Sequence, residues 1–526
     1  MKRLFFCMGI CLLATATGAR AADTDGGGAV PAASVQAISD VSASDVDAGS
    51  LTTVSPAQHQ LKKDAGEAPP ATKAGSLASL RSRSVPQEGA GRLMGLLGCL
   101  AMMGFAWAIS LERRRVNWRV VWMGTALQFV FAFLILKTPI GSAIFGVAND
   151  AVKKLLSFST QGARFVFGNL VESRVPVLDA DGSTTEYVAD AGAFIAFNLM
   201  PTIIFFSAMS ALLYHLGILQ RIVRLLAWVM RRTMGTSGAE SLSAAGNIFL
   251  GQTEAPLLVR PFLDRMTRSE LMAVMTGGFA TVAGGVLAVY VGFLEKKFPD
   301  IAGHLIAASV MSAPASLVMA KIMVPEVDEP QTRDGTEVEV NSEHANALDA
   351  TAYGISEGLK LALNVAAMLI GFMALLPLLD WMLTWPSTPL SWLGLDGPSA
   401  FFATLSLEKI MGTLLSPLAF LLGVPWEDAG SIGAMLGAKT VVNEFVAYLQ
   451  LTQAIETGTL VHAKSVVIAT YALCGFSNLG SIGIQIGGLS VMAPSRRKEL
   501  ATLGLRAMVA ASLACFQTAA LAGMLL

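Results

Sequence analysis

Long apolar stretches limit the fold of this chain more than any other feature. A helix needs about 20 mostly apolar residues to cross the hydrocarbon core of a bilayer. Hydrophobic residues make up 53% of the sequence and charged residues only 14%, whereas an ordinary soluble domain has about 25% charged residues. We therefore expect an all-α polytopic membrane protein with eight transmembrane helices. They are predicted at residues 93–111, 120–136, 193–214, 271–294, 301–323, 361–379, 465–492 and 507–526.

The N-terminal residues have the pattern of a secretory signal. Lys2 and Arg3 precede an apolar run, and Ala19-Arg20-Ala21 has the form of a cleavage site. We predict a signal peptide at residues 1–21, with an uncleaved first helix as the alternative. Residues 22–90 contain hardly any aromatic residues, so we expect a disordered extracytoplasmic tail.

Basic clusters predict the topology. Glu112-Arg113-Arg114-Arg115 follows the first span, and positively charged residues accumulate in cytoplasmic loops. The N-terminus left after signal cleavage would then lie outside a bacterial inner membrane, which the chain crosses several times. Surface or interfacial helices are predicted at residues 145–170, 221–232 and 414–424, and loops at residues 179–190 and 326–350.

Two carboxylates lie inside apolar segments, Glu254 in GQTEAP and Glu444 in VNEFV. An ionisable residue at membrane depth is costly, and its usual meaning is a substrate or ion pathway. Basic residues flank the first segment on both sides, so its simplest geometry is a re-entrant hairpin at residues 242–259, with a second at residues 431–451. The structural alternative is that Glu254 and Glu444 pair with a buried lysine or arginine, for which Lys439 is the obvious candidate.

Paired glycines interrupt the predicted span 271–294 at residues 276–285, and the run GFSNLGSIG interrupts the predicted span 465–492 at residues 475–483. In the first span either the helix unwinds, which frees carbonyls for an ion or substrate, or the glycines allow close helix packing. The second run is longer than a simple span, which predicts a helix with an unwound middle. The order of hairpin, interrupted helix and plain helix occurs twice in opposite predicted orientations, which is an inverted repeat. The predicted parts are a scaffold at residues 91–233, a first repeat at 234–325, a loop with scaffold and interfacial helices at 326–430, and a second repeat at 431–526.

Five motifs occupy the two predicted repeats. They are GQTEAPLLVRP at residues 251–261, TVAGG at 281–285, SAPASLVMAKIMVPE at 312–326, GAKTVVNEFVAY at 437–448 and CGFSNLGSIGIQIGGL at 474–489. In these motifs the chain resembles the concentrative nucleoside transporters, from about residue 116 to the C-terminus. The resemblance implies a cation-coupled nucleoside symporter without a cofactor. It also implies a homotrimer in the membrane lipid, whose core moves as an elevator against a scaffold.

The resemblance also implies which residues bind the substrate and the coupling ion. The implied substrate-binding residues are Gln252, Thr253, Glu254, Val286 and Phe476 for the nucleobase, and Glu444, Asn478 and Ser481 for the ribose. The implied sodium ligands are the side chains of Asn247 and Thr281 and the carbonyls of Leu250 and Val282. Other members use protons, for which Glu254 would be the titrating group.

Two positions depart from the family pattern. The departure at Gly285 leaves base selectivity open, and neither departure settles the coupling ion. Gly285 stands where many members have serine, and Asn198 lies in a segment that differs from the family. A transporter of another small nucleobase or ribosyl compound is the first alternative.

Other classes of protein fit less well. An intramembrane hydrolase is the distant alternative, because the five histidines lie outside any nucleophile or zinc-protease motif. The net charge of −1 gives no support to nucleic-acid binding. The five cysteines show neither metal-ligand spacing nor a disulfide pattern.

Overall fold

Helices account for nearly all of the described secondary structure, as the apolar sequence predicts. The computed structural model describes residues 90–172, 174–179, 181, 184–190, 195–333, 344–393 and 395–525. The predicted signal peptide lies outside these residues, as does the predicted tail apart from Ala90. The helices are α1 Ala90–Ala108, α2 Trp118–Lys137, α3 Pro139–Phe167, α4 Met200–His215, α5 Ile218–Met234, α6 Gly238–Gly246, α7 Arg260–Leu263, α8 Arg268–Ala280, α9 Gly284–Leu294, α10 Ile301–Met323, α11 Ala347–Thr384, α12 Ser387–Trp392, α13 Asp396–Ala403, α14 Leu407–Leu421, α15 Trp426–Val441, α16 Glu444–Thr457, α17 Ala463–Leu473, α18 Leu479–Met492 and α19 Arg497–Leu525.

The described residues contain six helical stretches that are long and apolar enough to cross a bilayer. Of the eight predicted spans, the first corresponds to α1, whose apolar part Arg92–Ala108 is shorter than a full span. The predicted span at residues 465–492 is divided between α17 and α18. The six stretches are Trp118–Lys137, Ala196–His215, Arg268–Leu294, Ile301–Met323, Ala347–Trp392 and Pro494–Leu525.

A short β hairpin departs from the all-α prediction. Strands β1 Arg174–Leu178 and β2 Thr184–Asp190 pair antiparallel, with Arg174 opposite Asp190. The prediction of a loop at residues 179–190 was therefore wrong for most of that segment. The sequence of β2, TTEYVAD, contains the β-branched and aromatic residues that favour strands.

Capping residues explain why two helices begin earlier than predicted. Asn346 precedes α11, and its side chain accepts a hydrogen bond from the Asp349 amide, so the polar loop ends near residue 346 rather than 350. Thr138 caps α3 in the same way, and Pro139 occupies its first position. Proline is favoured there because its fixed φ suits the helix and its missing N–H would have had no helical partner.

Both glycine-bearing spans are broken, so unwinding rather than continuous helix packing is the observed outcome. The breaks separate α8 from α9 at residues 281–283, and α17 from α18 at residues 474–478. The two breaks also lie close together. Gly475 has φ 127°, and a Cβ on it would lie 2.9 Å from the carbonyl oxygen of Phe279, at the end of α8. A larger residue at position 475 would therefore be both strained and too close to α8.

Two helical pairs contain the carboxylates found by sequence. The first helical pair comprises residues 238–263, in which α6 is followed by non-helical residues 247–254, a 3₁₀ turn Ala255–Val259 and α7. The second helical pair is α15 and α16, joined at residues 442–443. In each pair the two arms contact each other. The predicted interfacial helix at 414–424 belongs to α14, which packs on α15 and is bent from it by 117°.

Buried ionic contacts hold the base of the first helical pair. Lys321 of α10 forms ion pairs with Glu240 of α6 at 2.7 Å and with Glu326 at 2.8 Å. Its ammonium group also donates to Ser269 Oγ at 3.0 Å. Glu240 is the third residue of α6 and forms a capping box with Ser237, so one cluster joins the start of α6, the start of α8 and the end of α10.

A buried carboxylate holds the base of the second helical pair. Asp428 of α15 accepts hydrogen bonds from the backbone amides of Val461 and His462, at 2.9 and 3.0 Å. It also accepts one from Ser465 Oγ at 2.6 Å. Asp428 therefore ties the start of α15 to the start of α17.

Candidate functional site

Glu444 is a buried carboxylate at the first position of α16, with 5% of its surface exposed. The preceding Asn443 caps the helix, since its side chain accepts from the Val446 amide at 2.9 Å. Glu444 Oε1 accepts a hydrogen bond from the Tyr290 hydroxyl at 2.9 Å, and Oε2 accepts one from Asn478 Nδ2, also at 2.9 Å. Three separate segments thus meet at one carboxylate.

Stacking fixes the position of Tyr290, which the sequence did not indicate as a site residue. Its ring stacks on that of Tyr448 with centroids 4.2 Å apart. The Tyr448 hydroxyl donates to the carbonyl of Thr470 at 2.7 Å. A lone tyrosine in the otherwise apolar α9 was the available signal, because a buried hydroxyl needs a hydrogen-bond partner.

Lys439 does not form an ion pair with Glu444 within the part of the chain that the structure describes. Lys439 is fully buried, and its ammonium group donates to the carbonyl of Ala472 at 2.8 Å. It also lies 5.8 Å from the ring centroid of Phe516. A structural ion pair is therefore not the observed environment of Glu444.

Asn478 connects Glu444 to α18. It is the cap of that helix, and its Oδ1 accepts from the amide of Ser481 at 2.8 Å. The structure thus brings together the three residues expected at the ribose. Phe476 lies in the same break as Asn478, and Val286 precedes Tyr290 by one helical turn on α9.

Gln252 and Thr253 lie at the break of the first helical pair and rest against α8 and α18. A Cβ on Gly278 of α8 would lie 3.0 Å from the Cβ of Gln252. A Cβ on Gly488 of α18 would lie 2.9 Å from the Cγ2 of Thr253. The absence of side chains at these two glycines is what allows the break to approach so closely.

Glu254 is oriented differently from its two neighbours. Its Oε2 accepts from the Gly251 amide at 3.2 Å. Its side chain lines a cavity of about 200 Å³ together with Ser207, Ser210 and Glu357, which belong to α4 and α11. Within the described residues no hydrogen bond or ion pair joins Glu254 to Glu444. Sequence patterns alone did not reveal this second group of polar residues.

The expected sodium ligands lie in the non-helical residues 247–254 of the first helical pair and in the break that follows α8. Asn247 is fully buried, and its Oδ1 has no hydrogen-bond partner among the described residues. Thr281 ends α8 and donates its hydroxyl to the carbonyl of Gly277 at 3.0 Å, which leaves oxygen lone pairs to coordinate a cation. Leu250 and Val282 lie in the non-helical segments next to these two residues. Amide, hydroxyl and carbonyl oxygens of this kind are suitable ligands for a hard cation such as sodium.

Comparison with protein families gives three matches, which together cover most of the described chain. "Na+ dependent nucleoside transporter N-terminus" matches residues 97–170, "Nucleoside recognition" matches residues 196–297, and "Na+ dependent nucleoside transporter C-terminus" matches residues 304–523.

Individual proteins agree with these matches. Solute carrier family 28 member 3 of Mus musculus is 40% identical over 447 residues, which are 82% of this chain but 59% of that protein. A protein of Haemophilus influenzae described as an uncharacterized transporter is 40% identical over 436 residues, which are 82% of this chain and 97% of that one. The structure of CNTnw in an inward-facing substrate-bound state matches with a TM-score of 0.71 and 37% identity, over 82% of this chain and 97% of that one.

Proposed function

Because the chain belongs to the Na⁺-dependent nucleoside transporter family, we propose that it is a secondary active symporter that imports nucleosides across the bacterial inner membrane. The observation that carries this proposal is the buried Glu444, held by Tyr290 and Asn478 and free of an ion pair with Lys439. Such a carboxylate is costly inside a membrane protein unless a ligand uses it. The family is one of transporters, so the chain is not an enzyme and the hydrolase alternative is set aside.

The ribose hydroxyls donate to Glu444, with Asn478 and Ser481 beside it. A carboxylate has about four lone-pair positions, and two are occupied by Tyr290 and Asn478. The remaining two match the two adjacent hydroxyls of a ribose. Bonds from a hydroxyl to an ionised carboxylate are charge-assisted and about twice as strong as neutral ones.

The nucleobase lies against Gln252 and Thr253, with Val286 and Phe476 as its apolar contacts. Amide and hydroxyl groups both donate and accept, so they suit the mixed edge of a base. Glu254 completes this set in the substrate-bound state. The cavity that it lines beside Ser207 and Glu357 supports an additional role on the path that the substrate or ion follows.

Sodium or a proton is the coupling ion, and no other cofactor takes part. For sodium, the ligands are the Asn247 and Thr281 side chains and the carbonyls of Leu250 and Val282. The buried, unpartnered Asn247 Oδ1 supports this assignment, because an acceptor without a partner is costly unless a ligand occupies it. For a proton, Glu254 is the titrating group.

The membrane arrangement consists of eight spans, with both helical pairs as re-entrant hairpins. The broken α8–α9 and α17–α18 supply the interrupted helices of an inverted repeat, at residues 234–325 and 431–526. Residues 91–233 and 326–430 form a scaffold, and three copies assemble in the lipid as a homotrimer. The N-terminus lies outside after signal cleavage.

Uptake of radiolabelled uridine into proteoliposomes tests the proposal. We expect accumulation under a sodium gradient or a proton gradient, and none without a gradient. No accumulation under either gradient would overturn the symporter proposal. Competition by free nucleobases as strong as that by nucleosides would favour the alternative of a nucleobase carrier.

A further inference from the structure

Two buried amide oxygens near the break of the first helical pair have no hydrogen-bond partner among the described residues. They belong to Gln252, which is 8% exposed, and to Gln485 of α18, which is fully buried. The other end of the Gln485 amide is occupied, since Nε2 donates to the carbonyl of Met275 at 3.1 Å. Gln485 is thus held in place by its donor, while its acceptor remains available.

The two glutamines border the same point of α8. Gly278 has no side chain, and a Cβ there would collide with the Gln485 amide nitrogen and lie 3.0 Å from Gln252 Cβ. Residues from the first helical pair and from α18 therefore meet over this glycine. The preceding Gly277 faces another direction, where its nearest neighbour is Asn247 Nδ2. The amide pair and the expected sodium ligands lie on adjacent faces of one helix.

Gln485 also lies on the face of α18 that contains Ser481, one of the residues expected at the ribose. The buried residues of α18 are Ser481, Gln485 and Leu489, four apart, which is one stripe along a helix. The Ser481 amide donates to Asn478, whose Nδ2 in turn donates to Glu444. Gly488, nearly one further turn from Gln485, borders Thr253. Along this face Gln485 therefore lies between the residues expected at the ribose and those expected at the base.

We propose that Gln485 is a further specificity-determining residue, whose amide oxygen accepts a hydrogen bond from an N–H group on the edge of the nucleobase. This inference rests on the proposed nucleoside transport and adds a residue to it. The ligands it favours are nucleosides with a base N–H donor, such as N3–H of uridine. The neighbouring Gln252 amide, which both donates and accepts, takes the adjacent group on that edge.

The test compares uridine with 3-methyluridine, which lacks the N3–H donor, as competitors of radiolabelled uridine uptake. In the wild type we expect 3-methyluridine to inhibit about 5- to 100-fold more weakly, since it leaves a buried acceptor unpaired. We call this factor the inhibition ratio of uridine to 3-methyluridine. Gln485→Met has nearly the same volume without the acceptor, so its inhibition ratio should be at least about five-fold lower. Gln485→Glu keeps an acceptor oxygen but loses the donor to Met275, so it should retain the ratio.

Gln517→Met is the matched control. Gln517 of α19 is also fully buried with an unpartnered Oε1, but its amide nitrogen lies 3.4 Å from Thr125 of α2, away from the first helical pair. In Gln517→Met the inhibition ratio of uridine to 3-methyluridine should equal that of the wild type. If Gln485 only ties α18 to α8, both of its variants would change total uptake and leave the ratio unchanged.

The comparison of the two nucleosides in the wild type can refute the assignment even if a variant does not fold. Equal inhibition by the two nucleosides, or a wild-type ratio in Gln485→Met, overturns the assignment of Gln485. Failure of the wild type to take up any nucleoside would instead overturn the proposed function.

Discussion

Replacement of Glu444 by glutamine removes the charge of the proposed ribose site while keeping the shape of the side chain. Tyr290 and Asn478 each donate to one oxygen of the carboxylate. A glutamine has only one oxygen, so its NH₂ group must face one of these donors. The Tyr290 hydroxyl can turn and accept, whereas the Asn478 NH₂ cannot. We therefore expect the variant to fold with its amide nitrogen toward Tyr290.

The expected loss of transport activity follows from the two lone-pair positions of Glu444 that remain for the ribose hydroxyls. Hydrogen bonds to a charged group contribute about 1.5–3 kcal/mol and neutral ones about 0.5–1.5 kcal/mol. Loss of the charge thus weakens each bond by about 1–1.5 kcal/mol, or about 2–3 kcal/mol for two hydroxyls. This corresponds to a loss of about 30- to 160-fold in kcat/KM for uridine.

The assay is uridine uptake into proteoliposomes, normalised to the amount of reconstituted protein. Glu427→Gln is the matched control, because Glu427 is an exposed carboxylate of α15 that contacts His462. In the wild type, 2′,3′-dideoxyuridine should be transported far less well than uridine. Glu444→Gln should lose most of this preference, because its hydroxyl-binding charge is gone. Wild-type kcat/KM in Glu444→Gln, or a full preference for the hydroxyls, would refute the ribose assignment.

Three further substitutions test other parts of the structure. Tyr290→Phe keeps the ring but removes the hydroxyl bound to Glu444, so uridine kcat/KM should fall about 2- to 10-fold; an unchanged value would show that the hydroxyl does not position the carboxylate. Asn247→Ala removes a buried oxygen, and the sodium concentration for half-maximal uptake should rise at least about ten-fold, which corresponds to about 1.4 kcal/mol of binding free energy; an unchanged sodium dependence would contradict the ion site. Lys321→Met leaves Glu240 buried without its partner and should cost about 3–5 kcal/mol of stability, measured as a lower unfolding temperature in detergent; an unchanged temperature would contradict the structural role of the cluster.

The sequence predicted best those features that depend on local composition. The breaks in the two glycine-bearing spans were located because paired glycines and a Gly-Phe-Ser-Asn run oppose a continuous helix. Glu444 was identified because a carboxylate in an apolar segment is costly unless a substrate or ion uses it. Hydropathy also identified α2 and α10 within two residues of their observed ends.

Features that depend on contacts between distant parts of the chain could not be predicted as well from the sequence. Tyr290 meets Glu444 across 154 positions of sequence. The lone tyrosine of α9 indicates that its hydroxyl needs a partner, but it does not indicate which residue that partner is. Glu254 adjoins Thr253 in sequence, yet it faces α4 and α11, because the non-helical break points neighbouring side chains in different directions. The polar loop before α11 was predicted too long, since charge alone does not show where the cap at Asn346 begins a helix.

The polar clusters at the bases of the two helical pairs limit how the protein can move. Lys321 joins α6, α8 and α10, and Asp428 joins α15 to α17, all through buried charges or hydrogen bonds. Breaking such contacts one at a time would expose unpaired charge to an apolar surrounding. The base of each helical pair therefore cannot separate from its neighbouring broken helix without breaking these contacts. If either base is displaced, the start of α8 or of α17 should move with it as one unit.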